Sequence, residues 1–164
     1  MKYTLSVLVE NHAGVLSKVS GLFSRRGFNI DSLAVGVTDD PLISRMTIVV
    51  DGDEYMVGQV EKQLGKVIPV ITVKILEPGG YVSRELSLIK VSCNAKQRAE
   101  IMKIAELMNA RIIDVGLDVL TLEFCDSTER GEIIEGLLKP YGIREIVRTG
   151  VVALEKGSVI AKKP

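Results

Sequence analysis

An α+β fold, two ferredoxin-like βαββαβ units in tandem, follows from three features of this 164-residue chain. The apolar positions switch between alternation and a helical stripe in the order strand, helix, strand, strand, helix, strand. A Glu77-Pro78-Gly79-Gly80 stretch then acts as a linker, and the same order begins again. The two runs superimpose at a single offset of 82, which brings Ala13 onto Ala95, Gly27 onto Asn109 and Ile30 onto Ile112. The expected division is a first unit over residues 1–76, a linker over 77–82 and a second unit over 83–164.

In the first unit, residues 3–9 alternate, with Leu5, Val7 and Val9 on one face of a strand. Over residues 13–26 the stripe Val15, Leu16, Val19, Leu22 and Phe23 predicts a helix. Arg25 and Arg26 suit its negative end and Gly27 closes it. Residues 30–38 are extended. The Asp39-Asp40-Pro41 turn leads into a strand over 43–50, with Met46, Ile48 and Val50 inward. Asp51 with Glu54 predicts a capping box, ahead of a helix bearing Met56, Val57, Val60 and Leu64. Residues 67–76 close the unit, and Pro69 among them points to a sheet edge.

The second unit predicts a strand over 84–93 and a helix over 95–108 with Ile101, Ile104, Ala105 and Met108 inward, ended by Asn109. A hairpin follows, 111–115 and 119–124 around Gly116. Asp126 with Glu129 is expected to cap a helix carrying Ile133, Ile134, Leu137 and Leu138, which Lys139-Pro140 stops. Residues 143–154 form one closing strand.

Composition narrows the function. The chain is rich in Val, Ile and Leu, has no Trp and is only 4% aromatic, which suits an aliphatic sheet core. Its 21 basic and 21 acidic side chains cancel, and eight of each lie before Glu77, so neither unit is a basic arm. RNA-recognition domains share this element order, but they need sheet aromatics and basic surroundings. No nucleic-acid partner is expected. The start soon meets Glu10, and no apolar run reaches the roughly eighteen residues a membrane helix requires. Cys93 and Cys125 lie far apart, so a reduced cytoplasmic protein without a membrane partner is expected. A metal carrier would need a Cys-x-x-Cys loop, which is missing, so no metal site is expected. His12 is the only histidine, no Ser/His/Asp set exists, and Asp39-Asp40 reads as a turn, so no catalytic residues are expected.

The stretch Val9-Glu10-Asn11-His12-Ala13-Gly14-Val15-Leu16, followed later by Gly27-Phe28-Asn29-Ile30, holds the candidate site. A turn opening a helix presents backbone N–H groups to a carboxylate. Gly14 leaves room for a ligand to approach the backbone, and the Asn11 and Asn29 amides are expected to read an amino group and a carboxylate together. Val15, Leu16 and Ile30 would surround a small branched side chain. At the offset of 82, Asn11 becomes Cys93, Gly14 becomes Lys96 and Asn29 becomes Arg111, so only the first unit is expected to hold a ligand. Ser32, Ala34 and Gly36 line the other face of their strand, either for close approach of two chains or as a thin packing face within one domain.

At these residues the chain resembles the small, regulatory subunits of acetolactate synthase (acetohydroxyacid synthase), whose N-terminal part is an ACT domain. The resemblance is carried by Val9-Glu10-Asn11 with Gly14-Val15-Leu16-Ser17, Gly21-Leu22-Phe23-Ser24-Arg25-Arg26-Gly27-Phe28-Asn29-Ile30, Ser32-Leu33, Thr38-Asp39-Asp40-Pro41 and Ser44-Arg45-Met46-Thr47-Ile48. In the second unit it is carried by Arg84-Glu85-Leu86-Ser87-Leu88-Ile89-Lys90-Val91, Ile112-Ile113-Asp114-Val115 and Arg148-Thr149-Gly150-Val151-Val152, a set a generic ACT domain would not share.

The resemblance implies a non-catalytic subunit that binds the large catalytic subunit, raises its activity and confers feedback inhibition by branched-chain amino acids, chiefly valine. The thiamine diphosphate, Mg²⁺ and FAD would belong to that partner, not to this chain. The resemblance also implies a homodimer through ACT domains, with valine between the first-helix turn of one chain and the Asn29-Ile30 region of the other. Asn11, Gly14 and Asn29 match the family's ligand-contacting positions, and the full set expected to bind the ligand is Asn11, Ala13, Gly14, Val15, Leu16, Asn29 and Ile30. An ACT-type amino-acid sensor regulating a different enzyme is the alternative.

Overall fold

The computed structural model describes residues 1–161, and the chain forms two compact units: residues 1–82 joined by the segment from Val151 onward, and residues 83–150. The first contains β1 (Lys2–Glu10), α1 (Val15–Arg25), β2 (Ile30–Val37), β3 (Ile43–Asp51), α2 (Glu54–Leu64) and β4 (Val70–Leu76). The strands form one antiparallel sheet in the order β2-β3-β1-β4. The expected stripes meet in one core: Leu5, Val7 and Val9 from β1, Met46, Ile48 and Val50 from β3, and Val19, Leu22, Phe23, Val57, Val60 and Leu64 from the helices. Pro69 precedes the edge strand β4, where a missing N–H costs no ladder bond, and its carbonyl accepts from the Glu10 amide.

Two local readings need correction. The cap of α2 is Asp53, whose carboxylate accepts from the Met56 amide at 2.7 Å. Asp51 instead ends β3 and takes the Met1 ammonium at 2.9 Å. Leu16 belongs to the periodic stripe of α1 but remains nearly half exposed, because it sits at the helix start beyond the reach of the core.

The second unit comprises β5 (Tyr81–Ser92), which starts in the first unit, α3 (Ala95–Met108), β6 (Arg111–Val115), β7 (Val119–Asp126), α4 (Thr128–Leu138) and β8 (Ile143–Arg148). Its sheet runs β6-β7-β5-β8, again antiparallel. Helix α3 has the expected bounds: Asn94 and Gln97 complete a capping box, and Asn109 ends it in the left-handed region at φ 57°. The cap of α4 is Ser127 rather than Asp126, whose carboxylate pairs with Arg130 at 2.7 Å. Ile134 and Leu138 of α4 are fully buried, but Ile133 and Leu137 are not, so its apolar face is narrower than expected.

The closing strand also differs. It breaks at Gly150, which adopts φ 83°, and a separate β9 (Val152–Glu155) follows. This segment lies on the second face of the first sheet. There Thr4, Ser6, Leu8, Thr47 and Val49 are buried, as are Val151 and Ala153. The Val151 amide donates to Ser32 Oγ at 2.9 Å, Lys74 pairs with Glu155, and the Lys156 amide donates to the Gly80 carbonyl at 3.0 Å. The small side chain at Ser32 thus serves packing within the unit, and the second unit ends at Gly150 rather than at residue 164. Residues 162–164 of the expected second domain lie outside the described residues. Among the described residues no helix is long and apolar enough to cross a membrane.

Candidate functional site

The end of β1 and the start of α1 are held by neighbouring loops. The Asn11 amide nitrogen donates to the Leu42 carbonyl and its Nδ2 to the Pro41 carbonyl, both at 2.8 Å. The Asn11 side chain is therefore anchored through its donor, and its Oδ1 is the group it can still offer to an ammonium. Gly14 precedes α1 at the N-cap position and sits at φ 85° in the left-handed region. A Cβ there would meet nothing within 4 Å, so glycine is required by backbone conformation rather than by crowding.

No side chain caps α1, and no acidic residue lies in its first turn. Its first amides, at Val15 and Leu16, therefore point past the helix end without a side-chain acceptor. This is the positive end of the helix dipole, and it suits a carboxylate. Ala13 is exposed and Leu16 nearly half exposed beside it. The Val15 side chain is buried in the core, so Val15 can contribute only its backbone to a ligand there. His12 lies between two oxygens, with Nε2 at 2.9 Å from Glu10 Oε2 and Nδ1 at 3.1 Å from the Ala13 carbonyl.

Asn29 and Ile30 do not join this cluster within one chain. The strand registers set Ile30 beside Val50, Val50 beside Tyr3, and Glu10 beside Ile43. Asn29 thus stands at the Tyr3 end of the sheet and Asn11 at its opposite end, ~23 Å away along the strand. The two amides cannot read one small ligand together from the same chain. Asn29 is exposed and its Nδ2 donates to Asp31 at 3.3 Å, while Ile30 packs partly against the core. Strand β2 is an edge of its sheet, with Val35 and Val37 about half exposed.

The equivalent place in the second unit is closed. Asn94 accepts from the Lys96 and Gln97 amides at 3.0 and 2.9 Å, so the first turn of α3 is satisfied by its own cap. Cys93 is buried in the core, and Arg111 pairs with Glu123 at 3.5 Å. His12 entered the sequence reading only as the single histidine; its place between the Glu10 carboxylate and the Ala13 carbonyl comes from the structure, with Glu10 two residues before it as the available clue.

Comparison with known proteins adds an independent line. Residues 5–72 match a family model for the AHAS small subunit-like ACT domain, and residues 84–157 match one for the small subunit of acetolactate synthase. The acetolactate synthase small subunit of Mycobacterium leprae is 50% identical over 155 residues, 94% of this chain and 92% of that protein. A probable acetolactate synthase small subunit of Archaeoglobus fulgidus is 46% identical over 158 residues, 96% of this chain and 99% of its own. Among solved structures, the acetolactate synthase small subunit from Thermotoga maritima superimposes with a TM-score of 0.88 at 37% identity, covering 97% of this chain and 99% of that one.

Proposed function

Because the chain belongs to the family of acetolactate synthase small subunits, we propose that it binds the large catalytic subunit of an acetolactate synthase, raises its activity and makes it sensitive to valine. The thiamine diphosphate, Mg²⁺ and FAD would reside on that partner.

The effector carboxylate meets the N–H groups of Gly14, Val15 and Leu16. The Asn11 and Asn29 amide oxygens take the ammonium, and the Leu16 and Ile30 side chains enclose the isopropyl group. Burying that group contributes roughly 1.5–3 kcal/mol, enough to reject alanine. One methylene separates valine from leucine or isoleucine by only about 1–3 kcal/mol, so these bind more weakly rather than not at all.

The observation that carries this reading is the ~23 Å between the two halves of the site along the sheet. A second copy supplies the missing half. Antiparallel approach of two β2 edges brings the Asn29 end of one chain towards the Gly14 end of the other, over the exposed Val35 and Val37 side chains. Valine in that seam then acts by favouring one arrangement of the paired domains, and a coupling of about 1–3 kcal/mol suffices for feedback.

Calorimetry of the full chain with valine, alongside capture of the catalytic subunit by the tagged chain, tests the proposal. Valine binding at one site per chain, together with capture, is expected. Valine binding without capture would leave an amino-acid sensor for some other enzyme. Absence of valine binding would refute the effector assignment.

A further inference from the structure

The surroundings of His12 ask for a second proton on its ring. A neutral imidazole has one N–H and one lone pair, so it can satisfy only one acceptor. Here both nitrogens face oxygens that only accept: the Glu10 carboxylate at 2.9 Å and the Ala13 carbonyl at 3.1 Å. The geometry is that of an imidazolium donating twice. Glu10 on β1 and Lys18 on α1 are the charged groups whose fields reach the ring, and they act in opposite directions. From the β2–β3 turn the loop receives the Pro41 and Leu42 carbonyls, while the Asp40 carboxylate is taken by the Leu42 amide at 2.9 Å. From the α2–β4 turn it receives the Pro69 carbonyl.

The Ala13 carbonyl is one end of the peptide whose other end is the Gly14 N–H. A cation bonded to that carbonyl polarises the N–H aimed at the carboxylate seat, since chained hydrogen bonds strengthen one another. We propose that His12 is a positioning residue for the effector: as imidazolium it clamps the Ala13–Gly14 peptide against Glu10 and places a positive charge beside the start of α1, so valine binding takes up a proton. The inference rests on the valine assignment above.

The Ala13 carbonyl and then the Glu10 carboxylate hold the His12 pKa above its ordinary value of 6.5. The ring therefore keeps its charge to higher pH than an ordinary imidazole and loses it as pH rises through the raised value. Valine affinity should fall over the same window. The loss expected for one exposed charge near a helix end is about two- to five-fold.

His12 is the only histidine, so its ring protons give a single unambiguous NMR titration in the intact chain. The expected midpoint lies above 6.5 without valine and moves higher when valine saturates the protein. Calorimetry at pH 6 and 8, in buffers of different ionisation enthalpy, should show proton uptake and weaker binding at the higher pH. In His12→Gln the affinity should no longer change with pH, and Glu10→Gln should lower the histidine midpoint. A midpoint at or below 6.5, or one unmoved by saturating valine, would overturn the inference. Valine binding with an equally steep pH profile in His12→Gln would overturn it alone, whereas no valine binding at either pH would bring down the effector assignment as well.

Discussion

Helix α1 starts at a bare left-handed glycine, whereas α3, its counterpart in the second unit, starts under the Asn94 side chain. The chain path is the same: strand, helix, strand, with equivalent cores built from Val19, Leu22 and Phe23 in one case and Ile101, Ala105 and Met108 in the other. What differs is who satisfies the first helical amides. In α3 the protein does so itself, and the helix end becomes a structural joint. In α1 it leaves them unmet by any side chain, at a cost in local stability that a bound carboxylate can recover. A repeated fold thus closes one helix start with its own side chain and leaves the other open, with the capping residue making the difference.

Removing the shared part of the comparison has the greatest effect. Phe23→Ala and Ile101→Ala each empty a core position beneath the first helix of a unit, and should cost about 3–5 and about 2–5 kcal/mol respectively. Hydrogen exchange should lose protection in β1–β4 for the first variant and in β5–β8 for the second. Next comes the asymmetry of the sheets. A chain ending at Gly150 loses the cover over Thr4, Ser6, Leu8 and Thr47, and urea unfolding should show the first unit weakened by roughly 2–4 kcal/mol.

Asn94→Ala opens the start of α3 and should cost about 0.5–2 kcal/mol in the second unit while leaving valine affinity unchanged in calorimetry. The smallest change expected is at Asp118, where hydrogen bonding to Arg144 holds the carboxyl below its ordinary range. That contact stabilises the second unit above the ordinary carboxylate pKa and is lost as pH falls through the depressed value. Asp118→Asn should therefore lower the thermal midpoint slightly at pH 7 and flatten its decline in acid.

Much of this was legible in the residues. Helix α3 declares its end through Asn109, and its predicted bounds match the structure, where Asn94 with Gln97 forms the opening cap. The core faces of β1 and β3 follow from strict alternation. Where two cap candidates lie side by side, pattern alone picks the wrong one: Asp51 over Asp53, and Asp126 over Ser127. The choice depends on where the preceding strand releases the chain, which is a tertiary matter. The return of Val151 and Ala153 to the first sheet was invisible for the same reason, since a local apolar run does not say which sheet it will cover. The turn before α1 and the opening of β2 were legible as local elements, but their separation within one chain was not. Asn11 and Asn29 flank one helix in sequence, and only the strand register shows that they stand at opposite ends of the sheet.

With that separation, one valine can meet both amides only in a site shared between two chains, and mixing two defective variants tests this. Gly14→Asp puts a carboxylate where the ligand's belongs, at a backbone conformation aspartate tolerates better than most residues; Asn29→Ala removes the other half. Each alone should bind valine at least tenfold more weakly than the parent chain. Mixed one to one and allowed to exchange, half the dimers carry both variants, and each of these has one intact seat, so calorimetry should recover about a quarter of the parental sites at parental affinity. A mixture that binds no better than either variant alone would contradict the account.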